Sequence, residues 1–183
     1  MKKFQILFAV ILLLLMGNGT AYGNGLASGS SATLVSGGYN SQKDNRAQIL
    51  RGFLNSYNSP LASYSEDFVK YADKYDLDWR LVASIAGLES TFGKHIPYNS
   101  YNGWGWGVYG DNVIRFKSWP DGIETISKGL RENYLKDRPE SNPYVIGPTY
   151  AASHTWAQRV SFFMQKMDEY RIKNAKSTLA LAL

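Results

Sequence analysis

The chain contains no cysteine and only two histidines, His95 and His154, and these scarcities exclude several kinds of chemistry. Without cysteine there is no thiol nucleophile and no disulfide, so an exported chain of this size must be held together by packing alone. Two isolated histidines supply little for a histidine-based zinc site or for a Ser-His-Asp triad. We therefore expect an activity that needs no metal and no cofactor.

The chain also lacks an apolar run long enough to span a bilayer comfortably, which takes about 20 residues. Its longest run, residues 4–16, follows two lysines and is interrupted only by Gln5. A basic start, a short apolar run and small residues near Ala21 and Gly23 are typical of a secretory signal. We predict a signal peptide over residues 1–23 and a secreted or cell-envelope protein, with an uncleaved N-terminal anchor as the only alternative contact with a membrane.

Apolar side chains remain scarce up to residue 45. Residues 24–45 are rich in Gly, Ser and Asn, and they bury too little apolar surface to offset the entropy of ordering them. We interpret this stretch as a flexible linker. Residues 46–175 are long enough for one domain with a single core, and residues 176–183 form a short apolar tail.

An excess of positive charge is present but small. The net charge is +5, which becomes +3 when Lys2 and Lys3 leave with the signal peptide. The basic residues are spread along the chain, whereas nucleic-acid binding calls for a cluster of them, so we expect no nucleic-acid partner. A mildly basic, monomeric domain would suit an anionic cell-wall polymer.

The remaining sequence indicates a mainly α (α+β) fold. Apolar residues recur at helical spacing in residues 48–57 and in four further segments, which open at Ser63, Asp78, Ser118 and Ser153. Between residues 94 and 117 the helical period disappears, and Gly, Asn and aromatic residues dominate. We predict a short strand at residues 113–116, paired with residues 106–109, in a small β or loop lobe beside the helices.

One carboxylate has an unusual place in this pattern. The helix that opens at Asp78 has an apolar face formed by Trp79, Val82, Ile85 and Ala86, which ends at Glu89 just before the stop signal Gly93. A carboxylate at the end of an apolar face is drawn out of water, and a carboxyl group in such surroundings can act as a proton donor near neutral pH. On position alone, it is equally consistent that Glu89 reaches solvent at a fraying helix end.

The loop segment that follows carries aromatic residues between glycines. Glycine lets backbone approach a ligand closely, and the flat faces of Trp104, Trp106 and Tyr109 could bind the apolar faces of sugar rings. The alternative is that both tryptophans only pack the loop against the helices. We favour one of the two tryptophans lining a groove.

Four segments resemble, in order, the motifs of one family. Glu89-Ser-Thr-Phe-Gly-Lys94 resembles a Glu-Ser-x-(Trp/Phe)-Gly-Lys signature, and Asn102-Gly-Trp104-Gly105 resembles an Asn-x-aromatic-Gly turn. Residues 116–123 resemble a Phe-x-x-(Tyr/Trp)-x-x-Gly-Ile helix entry, and residues 150–160 a Tyr-Ala-x-(Asp/Ser)-x-x-(Tyr/Trp)-Ala-x-x-Val segment. The family is that of the bacterial endo-β-N-acetylglucosaminidases of autolysins and flagellar wall-piercing proteins, in the lysozyme-like superfamily. Soluble lytic transglycosylases share the Glu-Ser start, but their Gly-Leu-Met-Gln turn is absent here.

This resemblance implies a lysozyme-like helical domain with a small lobe beside its cleft, acting on bacterial peptidoglycan. The implied reaction is cleavage of β-1,4 bonds between N-acetylglucosamine and N-acetylmuramic acid. Glu89 would be the general acid, and Tyr150 would line the cleft and stabilise the positive charge that develops on the sugar. Ser90, Asn102 and the loop aromatics would bind the glycan strand.

The second carboxylate of a glycosidase pair is less clear. Asp111, beside the aromatic loop, is our first candidate, although a turn aspartate more often caps backbone. Glu124, with Lys128 four residues later, has the pattern of a solvated surface residue. A lytic transglycosylase needs only one carboxylate, so transglycosylase or muramidase activity stays an alternative, as does a wall-binding module without catalysis.

Overall fold

Helices account for most of the computed structural model, which describes residues 44–107, 112–136, 138 and 141–181. Besides the α-helices there are a 3-10 helix, Pro60–Tyr64, and a π-helical segment, Leu130–Leu135. The mainly α fold class is confirmed. Within the described residues the α-helices are α1 (Arg46–Ser56), α2 (Ser65–Lys74), α3 (Leu81–Ser90), α4 (Trp119–Gly129), α5 (Pro143–Tyr150) and α6 (Trp156–Leu181).

Several predictions concern residues outside the described ranges. They are the signal peptide over residues 1–23, nearly all of the linker over residues 24–45, and two candidate site residues, Tyr109 and Asp111.

The helix starts match the sequence prediction only in part. Ser118 caps α4 as predicted, because its Oγ accepts a hydrogen bond from the backbone N–H of Asp121 at 3.3 Å. Asp78 instead caps the turn before α3, where its carboxylate accepts the backbone N–H of Arg80 at 2.9 Å. Ser63 opens no α-helix, since a proline at the preceding turn starts a 3-10 helix there.

The predicted tail is part of a longer element. The final helix, α6, runs for 26 residues to Leu181, so the boundary expected at residue 176 coincides with no change in backbone structure. No helix within the described ranges is both long enough and apolar enough to cross a bilayer.

The centre of the domain is α3, because its first seven residues, 81–87, are all buried. It packs against α6, α2 and α4, so helices enclose it on several sides. The expected apolar face is therefore only one part of a helix that is apolar almost all round, as buried helices are.

The helices α3 and α6 run antiparallel and are tied together at both ends. Arg80, before α3, forms an ion pair with Asp168 in the middle of α6. At the other end of α3, the Trp156 indole N–H donates a hydrogen bond of 2.9 Å to Glu89. These two ties fix the end of the central helix relative to the first turn of the last one.

The predicted strand is wrong for the residues that the structure describes, which contain no strand and only an isolated bridge at Asn112. The physical reason is the side chain of Asn102, whose Nδ2 donates to the backbone oxygens of both Trp106 and Ile114, at 2.8 and 3.0 Å. In a pair of β-strands these two carbonyl oxygens would accept backbone N–H groups. Here both accept the side chain of Asn102 instead. The described part of the lobe beside the helices is a loop.

A close contact next to the end of α3 gives a test of this packing. A Cβ built on Gly87 would lie 2.5 Å from Cε1 of Phe92, whose ring is only 1% exposed and has little room to move. We expect Gly87→Ala to lower the free energy of unfolding by about 1–2 kcal/mol, because overpacking outweighs the roughly 1 kcal/mol that alanine gains in a helix. Urea denaturation followed by circular dichroism measures it, and an unchanged or higher midpoint would contradict the packing described.

Candidate active site

The end of α3 is sharply defined, as predicted for the helix that carries Glu89. Thr91, Phe92 and Gly93 all have positive φ, at 51°, 57° and 79°, so the chain turns away immediately after Ser90. The backbone N–H of Phe92 returns to the carbonyl oxygen of Ala86 at 2.9 Å. This turn buries the Phe92 ring and leaves Glu89 next to the loop lobe.

Glu89 is exposed, so the expectation that it is withdrawn from water is wrong for the unliganded chain. The alternative, that it reaches solvent, describes its exposure correctly but omits its contacts. Glu89 Oε1 accepts the indole N–H of Trp156 at 2.9 Å. A Cβ built on Gly105 would lie 3.6 Å from Glu89 Oε2, so loop backbone lies beside the second oxygen. The carboxylate therefore stands between α6 and the loop.

The indole that bonds to this carboxylate belongs to a group of four aromatic side chains in ring contact, which we call the aromatic cluster: Trp106, Tyr134, Tyr150 and Trp156. Their neighbouring ring centroids are 4.7 to 6.0 Å apart, and the closest pair is Tyr150 and Trp156. All except Trp156 are partly buried, so the cluster joins the core to the surface at Glu89. Contacts of this kind form a rigid apolar wall next to a charged group.

Tyr150 stays neutral in these surroundings. Burial raises the pKa of the Tyr150 phenol well above its ordinary value, and the negative charge of Glu89 raises it further. The hydroxyl donates its hydrogen to the backbone oxygen of Trp104 at 3.1 Å. A neutral tyrosine bonded in this way presents the lone pairs of its oxygen to its other neighbours.

The two loop tryptophans have different places. Trp104 is 1% exposed and donates its indole N–H to the backbone oxygen of Val82 in α3 at 3.0 Å. The prediction that Trp104 contacts substrate is wrong, because no face of its ring is accessible. Trp106 is partly buried and lies in the aromatic cluster, so it is the member of the pair that stays a candidate for lining a groove.

Asn102 and Ser90 are also buried, at 2% and 3% exposure, and direct sugar contact is a wrong prediction for both. Besides its two donor bonds, Asn102 accepts the backbone N–H groups of Trp104 and Trp106, at 3.3 and 3.1 Å. Ser90 Oγ lies 2.7 Å from the backbone oxygen of Gly103 and accepts the backbone N–H of Gly93 at 2.9 Å. Both side chains shape the loop that faces Glu89.

Two glycines of α4 receive the loop tryptophans. A Cβ on Gly122 would lie 2.8 Å from the ring of Trp104, and a Cβ on Gly129 would lie 2.7 Å from the ring of Trp106. Residues seven apart share a helix face, so one small-residue face of α4 seats both rings. The loop is therefore positioned by α3 on one side and by α4 on the other.

Of the two candidates for a second acid, the structure places only one. Asp111 lies outside the described residues. Glu124 accepts hydrogen bonds from Lys74 Nζ at 2.6 Å and from the Tyr75 hydroxyl at 3.2 Å, so it belongs to an ion pair between α2 and α4. Lys74 lowers the pKa of this exposed carboxyl, which fits the solvated residue expected from the sequence.

Sequence reasoning missed two parts of this site, Trp156 and Tyr134. Trp156 lies within the segment that resembles the family motif, and this was the available signal. Tyr134 lies in the π-helical segment Leu130–Leu135, outside every segment that resembles a family motif. Within the described ranges, no group of three or more acidic or histidine side chains is arranged to hold a metal ion.

Comparison with known proteins adds no assignment to this geometry: neither the models of protein families nor the curated protein sequences include a match to this chain.

The protonation state of Tyr150 predicts a dependence of stability on pH. Above about pH 10 the unfolded chain loses the phenolic proton while the folded chain keeps it, so this tyrosine's contribution to stability falls as the pH rises. We expect Tyr150→Phe to be less stable than wild type by about 1–2 kcal/mol below pH 10. Above it, the difference should shrink by up to about 1.4 kcal/mol per pH unit.

Urea denaturation of both chains between pH 8 and pH 11 tests this prediction. Other tyrosines titrate in both chains, so the difference between the two curves reports position 150 alone. Curves that stay parallel throughout this range would contradict a buried, neutral Tyr150.

Proposed function

We propose that this protein is an exported peptidoglycan hydrolase that cleaves β-1,4 glycosidic bonds between N-acetylglucosamine and N-acetylmuramic acid, with Glu89 as the general acid. The observation that carries the proposal is the placement of Glu89. A carboxyl group ends the central helix, is open to solvent, and lies between an indole N–H donor and the glycine backbone of an aromatic loop.

A general acid must reach the leaving oxygen and deliver a proton to it as the glycosidic bond breaks. Glu89 meets the first condition because it is exposed, and its neighbour on the open side is a glycine without a side chain. As the bond between the sugar carbon and the leaving oxygen breaks, that oxygen takes the proton of Glu89. Water then adds to the sugar carbon, and its proton restores the acid.

Trp106 is the proposed platform for the glycan. It is partly buried, its ring is seated against Gly129, and it is in ring contact with Tyr134 and Tyr150. A ring held on three sides keeps its remaining face in a fixed position without further loss of entropy on binding. The apolar face of a hexose can stack on such a surface.

Tyr150 is proposed to stabilise the positive charge that develops on the sugar. Its phenol is neutral, and its single hydrogen is given to the backbone oxygen of Trp104. The oxygen lone pairs therefore provide partial negative charge next to the acid. Such a charge stabilises an oxocarbenium-like transition state more than a neutral ground state, which is the condition for catalysis.

A lytic transglycosylase or muramidase is the competing enzyme. A single acid, Glu89, is compatible with hydrolysis of the glycosidic bond and also with the transglycosylase reaction. In the transglycosylase, a hydroxyl group of the substrate itself attacks the sugar carbon and closes an anhydro ring. A wall-binding module without catalysis is the non-enzymatic alternative.

Digestion of purified sacculi separates enzyme from binding module. We expect Glu89→Gln, which keeps the size of the side chain and loses its acidic proton, to reduce release of muropeptides by about 10²–10⁴-fold. Wall binding in a pull-down should be unchanged. Equal release by both chains would reject Glu89 as the acid, and no release by either, with binding intact, would identify the binding module.

The new chain ends identify the bond that is cut. For a glucosaminidase we expect reducible N-acetylglucosamine ends in mass spectrometry of borohydride-treated products. Reducible N-acetylmuramic acid ends would identify a muramidase, and anhydromuramyl ends a transglycosylase. The last result would show that the substrate supplies the second group.

A further inference from the structure

We propose that Trp156 is a positioning residue that decides which oxygen of Glu89 carries the catalytic proton, the one turned toward the loop and not the one turned toward α6. This inference rests on the proposed function. The geometry behind it is the indole hydrogen bond to Glu89 Oε1 and the approach of Gly105 to Oε2.

The first step follows from the chemistry of the two partners. An indole N–H is a donor only, and a carboxylic acid has one carbonyl-like oxygen and one hydroxyl oxygen. The carbonyl-like oxygen is the better acceptor, so the indole bond is strongest when the proton sits on the other oxygen. If the carboxyl group rotates by half a turn, Oε1 and Oε2 exchange places. The oxygen next to the indole is still the acceptor, and the other oxygen still carries the proton.

The second step is that the donor cannot follow the carboxylate if the carboxylate moves. Trp156 is 3% exposed, and its ring lies against Tyr150 with centroids 4.7 Å apart and planes 31° apart. Tyr150 is in turn bonded to the backbone of Trp104. The indole is thus fixed by the core, whereas the Glu89 side chain is exposed, and among the described residues the indole of Trp156 is the hydrogen-bond donor that holds it.

The third step is the consequence for catalysis. Without the indole bond, the exposed Glu89 side chain would be free to adopt other rotamers, and its acidic hydrogen could point toward α6. A misplacement of about 1 Å at a reacting group can cost a factor of 100 in rate. Trp156 acts through Glu89 and does not itself touch the substrate.

Nuclear magnetic resonance tests the contact without any measurement of activity. The chain has five tryptophans and hence five indole N–H signals, and Trp156→Phe assigns the one of interest by its loss. Glu89→Gln imitates the neutral acid, with its amide oxygen toward the indole and its NH₂ group toward the loop. We expect the Trp156 signal to keep its hydrogen-bonded position in Glu89→Gln and to move upfield in Glu89→Ala.

Trp104 supplies an internal control, because its indole binds the backbone oxygen of Val82 and should not move in either variant. A Trp156 signal that moves equally in Glu89→Gln and Glu89→Ala would overturn the assignment of the proton. A signal that moves in neither variant would show that the bond is absent.

Kinetics then test the role in proton transfer. We expect Trp156→Phe to lower kcat on sacculi by about 10- to 100-fold with little change in KM. On a 2,4-dinitrophenyl chito-oligoside, whose leaving group needs no proton, kcat should fall less than about threefold. A merely structural role would lower both rates together, and that result would overturn the proposal.

Trp119→Phe is the matched control for loss of a buried indole. Trp119 is 7% exposed, and its ring packs against Tyr101 and Trp104, which are not members of the aromatic cluster. We expect it to lower both rates by a similar, small factor. If wild type releases nothing from sacculi, the proposed function fails, while the resonance experiment still decides the contact between Trp156 and Glu89.

Discussion

The burial of α3 is the constraint on which the rest of the structure depends. Residues 81–87 are all inside the domain, so the helix can end only where its last carbonyls find protein partners. The carbonyl oxygen of Ala86 accepts the backbone N–H of Phe92, and that of Ser90 accepts the backbone N–H of His95. The hydroxyl of Ser90 also reaches the loop at Gly103. Glu89 is the first side chain of this helix to emerge from the core. Because α3 is buried up to residue 87 and ends soon after, Glu89 is both exposed to solvent and attached to a fixed helix.

A series of contacts begins at Val82 in α3 and ends at Glu89 in the same helix. Val82 in α3 accepts the indole N–H of Trp104, whose backbone oxygen accepts the hydroxyl of Tyr150. The ring of Tyr150 lies on Trp156, and Trp156 donates to Glu89 near the end of α3. Two segments far apart in the chain, the loop at Trp104 and the junction of α5 and α6, are thereby held to α3. Each hydrogen bond is made at a partly or fully buried site, where leaving it unmade is costly.

What the sequence predicted well was local. The position of Glu89 at a helix end follows from an apolar face and a stop signal that lie within fifteen residues. The division of roles between Trp104 and Trp106 was not predictable, because it depends on long-range contacts: Trp104 is buried and bonds to Val82 of α3, whereas Trp106 lies in the aromatic cluster. Helix α5 was not predicted, because it contains Pro148 and proline disfavours the interior of a helix. A usable start signal was Asn142 before a proline, since its Oδ1 accepts the backbone N–H of Tyr144 at 2.9 Å.

The seating of two tryptophans on one face of α4 has a consequence for how this chain can change. Gly122 and Gly129 share a face only because seven residues make nearly two helical turns. One residue inserted between them would rotate the second glycine by about 100° and present a side chain to the ring of Trp106, while the seat of Trp104 would be untouched. The spacing of the two glycines in α4 is therefore as much a condition for the position of Trp106 as the loop sequence itself.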